Sequence, residues 1–238
     1  MPRSNPFRRR RGAAARSLPG ISGLLRSGLL IAALTVAAAR PGLAAIGGEP
    51  AYPALFGSHE IRSSQLSLFP KWRGAVSRYF DETRLPEAPC YARTFNKCHL
   101  REWTGFLAGL RSGDAETRIR EVNRFLNRRP YIVDMRNYGV EDYWATPFQF
   151  LSLDGDCEDY AIAKYFSLRA LGFPPDAMRI VVLHDLNLRT AHAVLVVYLD
   201  GRALVLDNQS PAVVDARSIL HYRAIYSINE QHWWLHRL

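Results

Sequence analysis

The feature that most constrains the fold is a change of period at Gly172: apolar residues before it recur at helical spacing, and those after it fall in short β-branched runs. From Pro70 the spacing Trp72, Val76, Tyr79, Phe80 predicts a helix that stops before Pro86. A second helix carries Trp103, Phe106, Leu107 and Leu110 on one face and ends near Gly113. Asp114 caps a third, marked by Ile119, Val122, Phe125 and Leu126 and broken at Arg128-Arg129-Pro130. A fourth covers residues 157–171, with Ala161, Ile162, Tyr165, Phe166 and Leu168 in phase and Gly172 and Pro174 as its stop. Arg118, Arg124, Arg128 and Arg129 are interspersed with Glu116 and Glu121, which reads as a solvated face rather than a phosphate-binding stripe.

Residues 178–183, 193–199 and 203–206 predict strands, and Asp200-Gly201 between the last two is a two-residue hairpin signal. Two further strands are expected near 222–228 and 232–235. Helices first and strands afterwards predict an α+β domain over residues 69–238, its antiparallel sheet packed on the helix that begins at Cys157. Residues 131–150, dense in aromatic side chains, lack a clean period and read as a connector. Residues 45–68, with Gly47, Gly48, Pro50, Pro53 and Gly57, read as a loosely ordered lead-in.

The formal charge of +9 invites a nucleic-acid reading until it is located. Residues 1–44 hold eight arginines and no acid, which leaves 23 bases against 22 acids in the rest. That head has an arginine-rich start, an apolar run over 28–39 and small residues at Gly42-Leu43-Ala44, the parts of an export signal cleaved before Ala45. An uncleaved anchor and a basic tail for nucleic acid are the alternatives, the second opposed by the scarcity of aromatic residues there. Export explains the cysteines: Cys90 and Cys98 are close enough to close a small loop in an oxidising space, leaving Cys157 unpaired. Two reduced thiols, or a zinc site helped only by His99, are the competing readings.

Cys157 stands in Leu153-Asp154-Gly155-Asp156-Cys157-Glu158-Asp159-Tyr160, one thiol among four carboxylates at a helix start. Unpaired backbone N–H groups and the helix dipole favour its thiolate, while the acids oppose it. An imidazolium partner and a bound hard cation are the available compensations. Asp156, Glu158 and Asp159 are therefore candidate calcium ligands, although the loop is not an EF-hand and the same acids serve equally as helix caps and solvated first-turn charges. His192 lies in a strand-like run, and the Asp200-Gly201 turn sets residue 192 opposite 209, a diagonal step from Asp207 on the same face. The roles follow: Cys157 attacks, His192 takes and returns the proton, and Asp207 holds the ring. His184 and Asp185 are a rival pair in an expected loop. The Cys157 N–H is the natural oxyanion donor, with the Gln149 side chain as a second candidate.

At these residues the chain resembles the bacterial transglutaminase-like cysteine proteinases, and among them the periplasmic proteases that release biofilm adhesins from the cell surface. The likeness is carried by Tyr143-Trp144-Ala145-Thr146-Pro147, by the run from Gly155 through Tyr165, by Leu171-Gly172, by Thr190-Ala191-His192-Ala193-Val194 and by Leu206-Asp207-Asn208. It implies a papain/transglutaminase-like fold, a catalytic role for Cys157, His192 and Asp207, and calcium dependence through Asp156 and Glu158, with Asp159 beside them. It further implies a large repeat-bearing adhesin as substrate and an inner-membrane cyclic-dinucleotide receptor that sequesters the protease. Acyl transfer to an amine, and a catalytically idle calcium-binding adaptor of the same fold, remain open readings of the same residues.

Overall fold

The structure, a computed structural model, describes residues 52–93 and 96–238. The expected export signal and residues 45–51 lie outside the described residues. In chain order the elements are β1 (His59–Ser63), α1 (Pro70–Glu82), α2 (Lys97–Leu110), α3 (Ala115–Leu126), α4 (Asp134–Asn137), α5 (Pro147–Leu153), α6 (Cys157–Ala170), β2 (Met178–Asp185), β3 (Thr190–Leu199), β4 (Arg202–Leu206), β5 (Val214–Asp215), β6 (Tyr222–Ile228) and β7 (Trp233–Arg237). The seven strands form one antiparallel sheet in the order β1-β7-β6-β2-β3-β4-β5. This is the expected α+β arrangement. Asp200 and Gly201 both take positive φ, 49° and 72°, and pair Leu199 with Arg202 as the hairpin signal requires.

Strand alternation divides the interior into two clusters. Met178, Ile180, Leu195, Val197, Leu204 and Leu206 face the helices, whereas Val181, Leu183, Val194, Val196, Ala203 and Val205 face the other way, beneath Leu55 with Tyr52, Phe56 and Ile219. Both faces are covered, so the central strands carry continuous apolar runs. Helix α6 fills the space between sheet and helices: from Asp159 to Leu168 every side chain is buried. Around it, Trp72 sets its ring against Trp144, Tyr165 and Phe166 and donates its indole N–H to the Asn229 carbonyl at 2.9 Å. Cys90 and Cys98 are joined in a disulfide, their Cα atoms 5.1 Å apart.

Three expectations need correction. The lead-in is not loose over its described part, because β1 pairs with β7 from His59↔Arg237 to Ser63↔Trp233. An edge strand with one partner needs little apolar alternation of its own, and its pattern was therefore silent. The connector contains α4 and α5; Thr146 caps α5 by accepting from the Gln149 N–H at 3.2 Å, and Gln149 returns its side-chain oxygen to the Thr146 N–H at 2.9 Å. The basic residues are not all solvated: Arg118 donates to the carbonyls of Leu110 and Leu171, and Arg129 meets Asp154 at 2.7 Å. Arg124 pairs with Glu121 in solvent, and Arg128 stays exposed over the Phe125 ring.

Trp72 is almost fully buried and joins α1 to α6 and to the Asn229 turn. Trp72→Ala is expected to lower the unfolding free energy by about 3–5 kcal/mol, read by chemical denaturation. A loss under about 1 kcal/mol would mean that this aromatic cluster does not hold the layers together.

Candidate active site

The turn before α6 is built by close approach. Asp159, fully buried on the first turn, accepts the Ala145 N–H at 2.7 Å and the Asp156 N–H at 3.4 Å. Gly155 passes directly over it: a Cβ there would come within 2.7 Å of the Asp159 Cβ and would overlap its carboxylate. Only glycine fits. Asp154, at φ 62° and ψ −170°, adopts a backbone conformation that costs a residue with a Cβ on the order of 1–3 kcal/mol. The surroundings hold it there, through Arg129 on its carboxylate and Asn137 on the carbonyls of Leu153 and Asp154. Together these contacts fix where Cys157 begins its helix.

The Cys157 thiol donates to Glu158 Oε2 at 3.1 Å, and the Ala193 N–H is near enough to bear on the sulfur. Burial, then the charge and hydrogen bond of Glu158 and the charge of Asp156, push the thiol far above its ordinary value, and the Ala193 N–H opposes them. In this arrangement the sulfur is a protonated thiol. Ala193 is the neighbour of His192, which places the nucleophile against the β3 segment that carries the imidazole.

His192 and Asp207 are brought together as the register predicted. His192 Nε2 and Asp207 Oδ1 are 3.0 Å apart, both side chains buried. The second Asp207 oxygen accepts the Tyr222 hydroxyl, the Gln209 N–H meets Oδ1 at 2.9 Å, and Asn127 donates to the Asp207 carbonyl at 2.7 Å. Burial alone would raise the Asp207 carboxyl, but the hydrogen bond and charge of His192, with Tyr222 and Gln209, outweigh it and hold the group below the usual carboxylate range. Since Nε2 is committed to Asp207, Nδ1 is the ring atom left to exchange a proton with a thiol. Tyr222 was not identified from sequence; it faces Asp207 because β6 joins the sheet beside β2. Lys164 is fully buried on α6, its ammonium 5.7 Å from the Tyr160 ring centroid; burial lowers it to about 7 and the Asp207 charge opposes that shift.

The rival pair is not assembled. His184 and Asp185 end β2 rather than lying in a loop, and Asp185 Oδ1 caps the following turn by accepting from Asn187 and Leu188. Gln149 is occupied as well: besides its capping bonds it donates to the Tyr143 hydroxyl at 3.0 Å.

The acids near Cys157 gather with two that the sequence did not offer. Carboxylate oxygens of Asp134, Asp156 and Asp159 lie within 4.8 Å of one another, as do those of Asp134, Asp142 and Glu158. Asp134 and Asp142 come from the connector, and no spacing in the sequence ties them to Asp156. Burial followed by the neighbouring negative charges raises Glu158 to about 8; burial likewise raises Asp134 to about 6, against the Tyr143 N–H that lowers it. Asp159 is raised by the same causes. Asp134 Oδ1 and Asp156 Oδ1 are buried without a hydrogen-bond partner. Oxygen-only ligands, orphaned carboxylate atoms and mutual repulsion are what a hard divalent cation satisfies, and these residues fit one.

The family model for bacterial transglutaminase-like cysteine proteinases (BTLCP) matches residues 90–236, more than half of the chain. The chain belongs to that family. Among solved structures, Legionella pneumophila LapG is 32% identical, with 58% of this chain and 78% of LapG covered and a TM-score of 0.54. Calcium-bound LapG is 29% identical over 68% of this chain and 87% of that one, with a TM-score of 0.55. EGTA-treated LapG is 32% identical over 60% and 78%, also at 0.55. No curated protein matches the chain. The mixed architecture with its seven-stranded antiparallel sheet is thus the transglutaminase-like fold, and the chain is a cysteine protease by family.

Gly155→Ala is expected to lower the thermal midpoint by several degrees and slow alkylation of Cys157 by about tenfold or more, because the turn must move off Asp159. An unchanged midpoint and rate would show that the turn yields freely. The Asp207 shift carries a definite sign. A carboxyl depressed in the folded state adds stability that is present above its ordinary range and is lost as pH falls through the folded value. Asp207→Asn should therefore be less stable than the parent near pH 7 and should lose less between about pH 5 and pH 2, measured by urea denaturation across that window.

Proposed function

We propose that the protein is a calcium-dependent cysteine endopeptidase in which Cys157, His192 and Asp207 form the catalytic triad. The observation that carries this reading is a buried imidazole held on Asp207 at 3.0 Å, with Cys157, the cysteine outside the disulfide, at the start of the helix that packs on the same sheet. In the reaction the Cys157 proton passes to His192 Nδ1, and the sulfur bonds to the scissile carbonyl carbon. The resulting oxyanion faces the Cys157 N–H at the start of α6. The C–N bond breaks as His192 returns the proton to the leaving amine. Water, deprotonated by the same imidazole, then cleaves the thioester and restores the thiol. Asp207 keeps the ring oriented and stabilises its charged form, and Tyr222 and Gln209 keep Asp207 ionised.

Asp134, Asp142, Asp156, Glu158 and Asp159 are the residues that would hold calcium, a reading supported by the calcium-bound structure of LapG and by the orphaned oxygens here. When bound, calcium would supply positive charge beside the thiol. Glu158 accepts the thiol hydrogen in this structure, and His192 is the base that would take it in the reaction. The same reading gives a large repeat-bearing surface adhesin as the substrate, cleaved in its N-terminal region so that biofilm attachment is regulated. It places the protease in the periplasm, reached through residues 1–44, under an inner-membrane cyclic-dinucleotide receptor that sequesters it. Support for these comes from the motif blocks around Cys157, His192 and Asp207. Among the described residues, no helix is long and apolar enough to cross a membrane.

Cys157→Ser should abolish cleavage of such an adhesin fragment while leaving the fold intact, and retained cleavage would remove the nucleophile assignment. At pH 7, iodoacetamide should alkylate Cys157 about tenfold faster in calcium than in a calcium chelator, because the ion offsets the charges that suppress the thiolate. Equal rates would reduce the carboxylates to caps.

A further inference from the structure

We infer that Tyr131, with Val133 and Met135 beside it, is the substrate-binding wall next to Cys157, and that it selects an extended peptide segment with an apolar side chain over an acidic one. This rests on the reading of the protein as a peptidase.

The segment is pinned to the nucleophile turn from below. Tyr131 forms a parallel bridge with Gly155, in which the Ile132 N–H donates to the Gly155 carbonyl at 2.9 Å. Two residues earlier, Arg129 holds Asp154 and the Leu151 carbonyl. In an extended segment successive residues direct their backbone groups to opposite edges, so when Ile132 bonds toward Gly155, Tyr131 turns its N–H and C=O away from it. No hydrogen bond reaches either group among the described residues. Those backbone groups thus face the side opposite the nucleophile turn, and it is the side chain that reaches toward it, beside Tyr160, one turn along α6 from Cys157.

The side chains point to the same use. Tyr131, Val133 and Met135 are 53%, 50% and 55% exposed, an apolar stretch on a segment whose backbone is otherwise tied down. The Tyr131 ring lies parallel to the Tyr160 ring, 6.5 Å between centroids and 13° between planes, which orients it while half of the residue stays open to solvent. Tyr160 stands three residues from Cys157 on α6 and Gly155 two residues before it, so the ring beside the one and the backbone bridged to the other lie at the nucleophile's end of that helix. A chain lying on this ring therefore passes the thiol. Five carboxylates carry more negative charge than one divalent ion offsets, so the site still repels an acidic substrate side chain in calcium, and the ring rewards an apolar one. Specificity would thus come from one aromatic face and one sign of charge.

The probes are an acetyl-tetrapeptide vinyl sulfone with apolar side chains, its counterpart with acidic ones, and iodoacetamide, all applied to the exported chain in calcium. Iodoacetamide reads the thiol alone, so the ratio of peptidyl to iodoacetamide labelling rates isolates the subsite. Wild type should label faster with the apolar probe than with the acidic one. Tyr131→Ala should lower the apolar ratio about tenfold and erase that preference, while Tyr131→Phe stays within about twofold of wild type. An unchanged ratio in Tyr131→Ala, or an equal loss in Tyr131→Phe, would overturn the assignment of the ring face. A wild type that takes iodoacetamide and neither peptidyl probe would instead overturn the peptidase reading beneath it.

Discussion

The site depends on one buried carboxylate. Asp159 sits within α6 without solvent and uses its oxygens on two backbone N–H groups, Ala145 from the connector and Asp156 from the turn before the nucleophile. Burying an ion is unfavourable unless hydrogen bonds and nearby charge compensate. The compensation available here is structural: it fastens the aromatic connector to the start of α6 and requires glycine at 155. Everything chemical about the thiol follows from that fastening, because the connector brings Asp134 and Asp142 into the same small volume. A cluster of like charges is unfavourable in isolation, and its orphaned oxygens are those a hard cation would satisfy.

The thiol and the imidazole are assembled by different devices. Cys157 is placed by a helix terminus, with an extended Asp156 before it and an Asp154 held in a costly conformation two residues earlier. His192 and Asp207 are placed by sheet register, inherited from a two-residue turn whose residues both take positive φ. The two devices meet at Ala193, whose N–H bears on the sulfur. In this state the thiol gives its hydrogen to Glu158 and not to His192. The geometry orients the proposed base on Asp207 while the proton of the proposed nucleophile rests on an acid.

Much of this was legible in the sequence where a local rule governs. Helical phase marked α1, α2, α3 and α6, β-branched runs marked β2, β3 and β4, and the turn dipeptide carried the register as far as His192 and Asp207. Local rules failed where a contact is the cause. Strand β1 exists because β7 offers an edge, and neither segment states this by itself. The α5 cap was present as Thr146 and Gln149 three residues apart, but seven residues of helix are too few to show a period. Asp134, Asp142 and Tyr222 join the site only through the path of the chain, so composition and spacing had no means of selecting them. Arg118 and Arg129 escape the solvated-face reading for the same reason, while Arg128 stays exposed as expected: charge pattern says what a helix can show to water, not which carbonyl or carboxylate lies beneath it.

The pairing of β1 with β7 also sets an order of events. The first strand described has its sole neighbour at the opposite end of the chain, and β6, which carries Tyr222, lies between β7 and β2. Contacts so distant in sequence form late, because the loop between them must close first. Helix α6 and the β3–β4 hairpin can form from local contacts, yet Asp207 lacks its tyrosine until β6 pairs with β2, and β1 lacks its partner until β7 has formed. The carboxylate that holds the imidazole is thus fully supported only by a strand that follows both of them in sequence.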